Sequence, residues 1–473
     1  MDKKLYSIFI LLLLDISFCF CQSVDDFRTN SSGNWNILSK WERWDGSSWV
    51  NPAPSLPSAT SNVTIQPGHT ITVNQAVNIE NLDVKGTLTG NGANSLTTSG
   101  NFSSSGTVNF GSAGGDITIQ GSLSINAGSF TIRSYKISVT NTTTISSGTF
   151  TDNNNNGTDT FTGLVTVLGS GAFTSTSVTT ATNMLFNNGL THSSSGTTAL
   201  GSATITGNLS ISQGALTVSS GNFSISGTTD ISGGAFTDNN NGGVDTFTGL
   251  VTVSNNATWT TSSVTTISNL IFENGLTQSS SGAISVGSAN FNTNSQNITI
   301  TPTNGTGNIS FARSVYFNVN TTISGTGTGS LTFSRVVMIA GSASTPVSLI
   351  NQRTVIINGQ LNGTLGTSTW FNDNGSVLYY NSTTSPMNTG VFDVATNANT
   401  VVYNNTSSSQ TVKGTTYHHL TINKSGSTGT LDANTIVNGN LSITSGIFNI
   451  SNFDFYVYGT TDISDPLTFQ LNQ

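Results

Sequence analysis

The feature that most constrains the fold of this chain is an internal duplication. Residues 150–201 align without gaps on residues 236–287, an offset of 86 residues, and 32 of the 52 aligned positions are identical. The shared segments include F-T-D-N-N-N, F-T-G-L-V-T-V and N-G-L-T. Such self-similarity is the mark of a repeat architecture, so it takes priority over any other pattern in the sequence.

A shorter signature recurs inside the 86-residue unit, consisting of a Gly or Asn followed by apolar residues at alternate positions. Its spacing is 20–24 residues, and it opens at Gly121, Asn141, Gly163, Asn183 and Gly207. Alternating apolar residues predict short strands. The signature returns at Gly439 and Gly459 without the rest of the unit. A solenoid can lose whole coils in this way, whereas a sandwich cannot lose half of its strands.

These patterns predict an all-β, right-handed parallel β-solenoid over residues 63–473, with the duplicated units at about 121–206 and 207–292. Its inward residues are predicted to include Leu209, Ile211, Val251 and Val253. The alternative is a row of immunoglobulin-like β-sandwiches, one for each 86-residue unit. Composition supports β structure, because charged residues make up only 7% of the chain and strong helix formers are scarce.

The first 21 residues have the layout of a signal peptide. Lys3 and Lys4 precede an apolar run over residues 5–14, and cleavage is expected after Cys21. We therefore expect a secreted, extracellular protein that is associated with the cell surface and has no membrane span after cleavage. Both cysteines lie in this leader, so no disulfide framework is predicted.

Residues 22–62 are predicted to form an N-terminal cap. This segment contains four of the six tryptophans (Trp35, Trp41, Trp44 and Trp49) and three of the eight prolines, and a fourth proline, Pro67, follows shortly after it. Bulky rings can cover an apolar core, and prolines cannot extend a strand ladder. At the other end, the segment L-T-F-Q-L could accept a further coil, so end-to-end self-association is expected.

Several segments resemble one group of proteins. The opening W-N-I-L-S-K-W and V-T-I-Q-P-G-H-T-I-T-V (63–73), together with T-V-V-Y-N-N (400–405) and V-N-G-N-L-S-I-T-S-G (437–446), carry this resemblance. The group is the adhesin-like parallel β-helix repeat proteins of gliding bacteria that use type IX secretion. The resemblance implies secretion and a surface role, and it supplies no catalytic residues.

The two Asn-rich loops are the candidate calcium sites. In the first loop, Asp152, Asn154 and Asn156 occupy alternate positions before a glycine, and Asp159 follows. Oxygen ligands in this arrangement suit calcium. The second copy keeps Asp238, Asn240 and Asp245, but Gly242 replaces its third ligand. The competing interpretation is a pair of Asn/Gly corners without a metal, and no other cofactor is predicted.

No catalytic site is predicted. Asp432 and Asp454 are 22 residues apart and could lie on adjacent coils, but no partner acid or arginine cluster accompanies them. His418 and His419 are adjacent and should point to opposite faces of a strand, so they should not share a metal. His192 is replaced by Gln278 in the second copy.

The expected function is therefore that of a non-enzymatic, adhesin-like or structural repeat protein at the cell surface. Its expected partners are surface glycans, matrix or neighbouring cells. Nucleic acid is not expected, because the net charge is −8 and there is no basic stripe. The alternatives are a carbohydrate-active β-helical lyase or hydrolase, and an ice-binding solenoid with ladders formed by Thr-x-Thr runs such as 142–144.

Overall fold

The structure is a computed structural model, and it describes residues 22–464 and 469–470. Gaps within that range fall at 111–114, 134, 153–157, 176–183, 187–188, 196, 219–221, 239–243, 256, 262–268, 273–275, 281–283, 287, 292–295, 301–307 and 342–343. The predicted signal peptide, with Cys19 and Cys21, lies outside the described residues. In the described part of the chain, no helix has the length and apolar character needed to span a membrane.

The chain winds through three parallel sheets in the order A, B, C, and then returns to sheet A one coil further on. Besides the N-terminal strands given below, sheet A contains Asn62–Ile65, Asn81–Val84, Phe102–Ser104, Leu123–Ile125, Thr143–Ile145, Val165–Gly169, Leu190–Ser194, Leu209–Ile211, Thr229–Ile231, Val251–Asn255, Leu276–Ser280, Gln296–Ile300, Thr321–Ser324, Ser348–Asn351, Thr369–Asn372 and Val391–Asp393.

Sheet B contains Gly33–Asn34, Thr70–Val73, Thr87–Gly90, Thr107–Phe110, Ser129–Ile132, Thr149–Asp152, Ala172–Ser175, Thr197–Leu200, Ala215–Val218, Ala235–Asp238, Thr258–Thr261, Ile284–Val286, Ile309–Phe311, Leu331–Phe333, Thr354–Ile357, Val377–Tyr380, Thr400–Tyr403, Gln410–Val412, His419–Leu431, Leu441–Asn449, Thr461–Ile463 and Phe469–Gln470.

Sheet C contains Val77–Ile79, Leu96–Thr98, Ile117–Ile119, Ile137–Val139, Asp159–Phe161, Met184–Phe186, Ala203–Ile205, Phe223–Ile225, Val244–Phe247, Asn269–Phe272, Ser288–Phe291, Val315–Phe317, Val337–Ile339 and Leu361–Gly363. A small fourth sheet contains Thr416–Tyr417, Thr435–Val437 and Phe455–Val457.

The pairing confirms the parallel β-solenoid, and the alternative of tandem sandwiches is wrong. From residue 62 onward, every strand pair that the structure describes is parallel, as in the register of Leu123 with Phe102 on one side and Thr143 on the other. Adjacent coils are therefore about 4.8 Å apart along the axis. Each coil buries its apolar side chains only against its neighbours, which makes the core one-dimensional.

The interior is formed by the alternating apolar residues of all three sheets. Leu209, Ile211, Val251 and Val253 are fully buried, as predicted. Aromatic rings stack inside sheet B, where the ring centroids of Phe150 and Phe173 are 4.7 Å apart. Burying a side chain of this size stabilises the fold by about 1.5–3 kcal/mol.

The duplication corresponds to four coils. The strands Leu123–Ile125 and Leu209–Ile211 open the two copies, and each later strand of the first copy has its counterpart 86 residues on. The glycines of the signature lie at the corner before sheet A, where successive coils touch: a Cβ at Gly249 would overlap the carbonyl of Gly227. Asn269 of the signature, in contrast, begins a strand of sheet C, and Asn183 lies outside the described residues. Strands of both sheets alternate in the same way, so spacing alone does not distinguish them.

The predicted cap combines ladder strands with an antiparallel extension. Phe27–Thr29 pairs in parallel with the first full coil in sheet A, so the ladder begins inside the range predicted as a cap. Trp41–Trp44 then pairs antiparallel with it, and Trp49–Val50 pairs antiparallel with Trp41–Trp44. A 3-10 turn, Leu38–Lys40, precedes this hairpin.

The coil cross-section changes near the C-terminus. Sheet C ends at Leu361–Gly363, and the long strands His419–Leu431 and Leu441–Asn449 then bend, with a register irregularity after Ile422. A buried pair of tyrosines fills this wider interior, with the hydroxyls of Tyr403 and Tyr417 2.9 Å apart.

Candidate functional site

The aspartates that flank the first Asn-rich loop lie inside the solenoid. Asp152 ends a strand of sheet B and Asp159 begins the next strand of sheet C, and both side chains are at most 1% exposed. Strand alternation explains this position, because Phe150 and Phe161 point inward and the residues two positions away share their faces. The sequence interpretation treated these residues as corner ligands and missed that they are interior.

The two carboxyl groups form one hydrogen-bonded pair. The Asp159 carboxyl bonds that of Asp152, and its Oδ1 also accepts the N–H of Ile137 at 2.8 Å. Burial, the neighbouring charge of Asp152 and the hydrogen bond with Asp152 together raise the pKa of Asp159 to about 8, against the lowering effect of the Ile137 N–H. A hydrogen bond between two carboxyls requires a proton on one of them, so the pair carries a shared proton at neutral pH.

The second copy repeats this arrangement. Asp238 and Asp245 are each 1% exposed, and Asp245 Oδ1 accepts the N–H of Phe223 at 3.0 Å. Four coils separate the two pairs, a distance of about 19 Å along the axis. The duplicated feature is therefore a buried pair of carboxyls at the corner between sheets B and C.

The fit of this corner to calcium is partial. Two carboxylates are suitable ligands, but calcium takes six to eight oxygens. Asn154, Asn156 and Asn240 lie outside the described residues. Among those that are described, no cluster contains three or more acidic, histidine or cysteine side chains placed to hold a metal. The calcium site stays a prediction.

Asp432 and Asp454 occupy separate corner contacts. Asp432 Oδ1 accepts the N–H of Gly414 at 2.6 Å, whereas the backbone N–H of Asp454 donates to Asn434 Oδ1 at 2.9 Å. A shallow cavity of about 380 Å³ is lined by Asp454, Asn434 and Tyr456 but not by Asp432. The structure therefore does not gather the two carboxylates around one cavity.

The two adjacent histidines differ from the prediction. The ring centroids of His418 and His419 are 4.5 Å apart, because this dipeptide lies at a corner and not within a flat strand. His419 Nδ1 accepts the N–H of Asn440 at 2.8 Å, and burial lowers the pKa of His419, helped by the neighbouring His418 ring. His192 is fully buried beside Thr198, which places it in the core.

The tryptophans of the N-terminal segment divide into two pairs. Trp35 and Trp41 are buried and meet edge to face with centroids 4.7 Å apart, and Trp41 Nε1 donates to the Trp35 carbonyl at 2.8 Å. Trp44 and Trp49 are partly exposed, and Arg28 lies 4.2 Å above the Trp49 ring. The first pair closes the core, whereas the second pair belongs to the surface.

The outer face of sheet B carries a column in which most side chains are threonines, and we call it the hydroxyl column. One residue per coil faces outward in register over ten coils: Thr72, Thr89, Asn109, Thr131, Thr151, Thr174, Ala199, Thr217, Thr237 and Thr260. The hydroxyl of Thr89 donates to that of Thr72 at 3.1 Å. No member is charged, whereas Asp83 and Asp230 interrupt the corresponding column of sheet A.

A second, shorter column runs beside it on the same sheet. Thr70, Thr87, Thr107, Ser129 and Thr149 are in register, two positions before their partners in the hydroxyl column. The period-two pattern of the strands indicated outward polar residues. Their alignment into columns depends on the loop lengths between coils, which the pattern does not give.

Comparison of the chain with protein-family models, with curated proteins and with solved structures gives no match, so the family resemblance and the surface role that it implies stay predictions.

Proposed function

We propose that this protein is a secreted, non-catalytic rod of the cell surface that adheres to repetitive extracellular polymers through the hydroxyl column of sheet B. Surface glycans and matrix, whether free or on neighbouring cells, are the partners proposed for it. The resemblance to adhesin-like repeat proteins agrees with this role.

The observation that carries the proposal is the regular spacing of the hydroxyl column. Its donors and acceptors repeat at about 4.8 Å over ten coils, with an interruption at Ala199, and the hydrogen-bonded ladder fixes their positions. A polymer of hydroxyl-bearing units can then make the same weak contact many times. Repetition of a weak contact raises the overall affinity by avidity, without any deep pocket.

The test uses chain 22–473 in a glycan array and in pull-down assays with insoluble polysaccharides. Thr131→Tyr places a bulky ring in the middle of the hydroxyl column. Ser124→Tyr on sheet A and Thr118→Tyr on sheet C are matched controls, because all three positions are the outward centres of neighbouring strands. We expect only Thr131→Tyr to reduce binding.

Equal loss of binding in all three variants would contradict a role for sheet B. If the chain binds no glycan or matrix polymer, this result would contradict adhesion altogether.

The alternative of a lyase or hydrolase is tested in the same samples. Release of reducing ends or unsaturated products, abolished by Asp454→Ala, would replace the proposal with an enzymatic function.

The paired columns of sheet B favour ice binding as the second candidate. Side chains two residues apart on a strand are about 6.7 Å apart, and those on adjacent coils are about 4.8 Å apart, so Thr70, Thr72, Thr87 and Thr89 form part of a regular grid. Thermal hysteresis and inhibition of ice recrystallisation, both lost in Thr131→Tyr, would favour this candidate. Their absence in the unmodified chain would eliminate it.

A further inference from the structure

The stretch 274–372 has a charge pattern unlike the rest of the chain. It contains no Asp, Glu, Lys or His and three arginines, Arg313, Arg335 and Arg353, although the whole chain has a net charge of −8. Arg335 is exposed and Arg313 is partly exposed. Arg353, in contrast, is only 9% exposed, so this arginine is the one held within the fold.

Arg353 lies at the corner between a strand of sheet A and a strand of sheet B, and its backbone is held on both sides. Its N–H donates to Asn351 Oδ1 at 3.1 Å, and its carbonyl accepts the N–H of Val377 at 3.0 Å. Asn351 is itself the first rung of a buried amide ladder, because its Nδ2 donates to Asn372 Oδ1 at 3.0 Å. The position of Arg353 is therefore rigid.

The guanidinium is only partly satisfied. Its Nη2 donates to the carbonyl of Gly327 at 3.0 Å and to that of Gly329. Nε and Nη1 are buried and have no hydrogen-bond acceptor in the described part of the chain, where Arg353 also forms no salt bridge. Burial lowers the pKa of Arg353, and no acidic neighbour opposes this. A buried charge without a counter-ion is costly, so these two donors require an explanation.

Arg353 lines an open cavity of about 470 Å³. The other walls are the loop 325–330, with the sequence G-T-G-T-G-S, and the residues Gln352, Thr354 and Gly375. Gly375 has φ +74° and open space where a Cβ would be, so the backbone can be approached closely there. The cavity thus combines a fixed cation, hydroxyl groups and a loop rich in glycine.

Asp373 follows Asn372, the register partner of Asn351 on the next coil, and its carboxylate is already engaged. Asp373 Oδ2 accepts Gln352 Nε2 at 3.0 Å, and its Oδ1 accepts the Asn374 N–H and Asn397 Nδ2, each at 2.7 Å. These hydrogen bonds, led by that from the Asn374 N–H, lower the pKa of Asp373. Its carboxylate is therefore not the partner of the guanidinium.

We propose that Arg353 and the loop 325–330 form a binding site for an oxyanion attached to a sugar, the carboxylate of a uronic acid or a sulfate ester, within an acidic polysaccharide. The inference rests on the proposed role in polymer adhesion and names the ligand class at one position on the rod. Nε and Nη1 donate along different edges of the planar guanidinium, so the oxyanion accepts a charge-assisted hydrogen bond from one of them, the kind of contact that arginine makes with carboxylates and sulfates. Because both nitrogens are buried, binding requires displacement of the glycine-rich loop, whose Gly327 and Gly329 carbonyls accept hydrogen bonds from Nη2.

The test is calorimetric titration of chain 22–473 with three probes: an oligogalacturonate, its methyl ester, and a sulfated dextran oligosaccharide. We expect binding of at least one charged probe and at least about tenfold weaker binding of the methyl ester, since a hydrogen-bonded charge is lost. The two charged probes distinguish a carboxylate ligand from a sulfate ligand.

Three variants locate the site. Arg353→Gln is expected to weaken binding of the charged probe at least about tenfold, whereas Arg335→Gln removes an equal charge from the same stretch and should change it less than about twofold. Thr354→Trp fills the mouth of the cavity and leaves the guanidinium in place, so it should also abolish binding. This variant keeps the test decisive if Arg353→Gln does not fold.

Unchanged affinity in Thr354→Trp, or equal weakening by the two arginine variants, would overturn the proposal in favour of non-specific attraction. Failure of both charged probes, with neutral polymers still bound through sheet B, would refute the anion site alone. Failure of neutral and charged polymers together would instead refute the proposed adhesive function.

Discussion

The buried carboxyl pair predicts how the stability of the rod depends on pH. The pKa of Asp159 is raised from 3.8 to about 8 in the folded chain. Below about pH 4 the proton is bound in both the folded and the unfolded state, so it does not affect folding. Between about pH 4 and 8 the unfolded chain releases the proton and the folded chain retains it. The free energy of unfolding therefore falls by up to about 1.4 kcal/mol per pH unit in that range.

The perturbation that isolates this effect is Asp159→Asn. The amide keeps an oxygen to accept the Ile137 N–H and supplies a permanent donor to Asp152, so it replaces the carboxylic acid without a titratable proton. At pH 7 the pKa of Asp159 implies a cost of about 4 kcal/mol, which the variant avoids. Asp245→Asn repeats the change in the second copy, and Asp462→Asn, on an exposed strand, is the control.

The assay is urea unfolding followed by circular dichroism at pH 4.5, 6 and 7.5. We expect the free energy of unfolding of the unmodified chain to fall across this range. That of Asp159→Asn should fall less, and it should exceed the value of the unmodified chain most at pH 7.5. Because coils of a solenoid can unfold in parts, hydrogen exchange at Ile137 provides a local readout. A pH slope that Asp159→Asn leaves unchanged would refute the reasoning, as would the same effect from Asp462→Asn.

Three further predictions follow from the packing and the corners. Phe150→Ala should lower the free energy of unfolding by about 3–5 kcal/mol in urea unfolding, because the Phe150 ring is buried between stacked neighbours. Retention of full stability would contradict a packed core. Gly128→Ala should be strongly destabilising in thermal melts, because its φ is +70° and a Cβ would overlap the Gly106 carbonyl, whereas Gly375→Ala should show only the mild strain of φ +74°. Calorimetry with calcium at pH 7 should show no site tighter than about millimolar; micromolar affinity lost in Asp152→Ala would establish a metal site.

The coil architecture was predictable because apolar residues at alternate positions recur in the sequence every 20–24 residues. Alternation placed Leu209 and Val251 inward, and the sub-period within the duplication indicated coils. What the pattern lacked was the sheet to which each strand belongs, so the signature at Asn269 did not distinguish a strand of sheet C from one of sheet A. Alternation also predicts that Asp152 points inward, because it lies two residues after the inward Phe150. Asp152 was instead interpreted as a corner ligand, because it is polar and lies beside an Asn-rich loop.

Arg353 was missed for a different reason. A single arginine has no periodic signature, and its isolation becomes visible only when the cavity and the loop above it are known. The sequence does contain one signal, the stretch 274–372 without acidic residues, in which no arginine has a carboxylate within the same coils. A local absence of counter-charge in an acidic chain is a usable criterion for such sites.

The polar residues have different roles inside and outside this rod. Inside, amide ladders such as Asn351 and Asn372 satisfy one another, and carboxyl pairs such as Asp152 and Asp159 share a proton, so polar residues at corners are accommodated without leaving the core. The two carboxyl pairs lie at the ends of the strands that carry Thr151 and Thr237, so they help to hold these members of the hydroxyl column in register. If sheet B binds polymers as proposed, a substitution that breaks one of these pairs, such as Asp152→Ala, should weaken binding in the pull-down assay even though it touches no ligand.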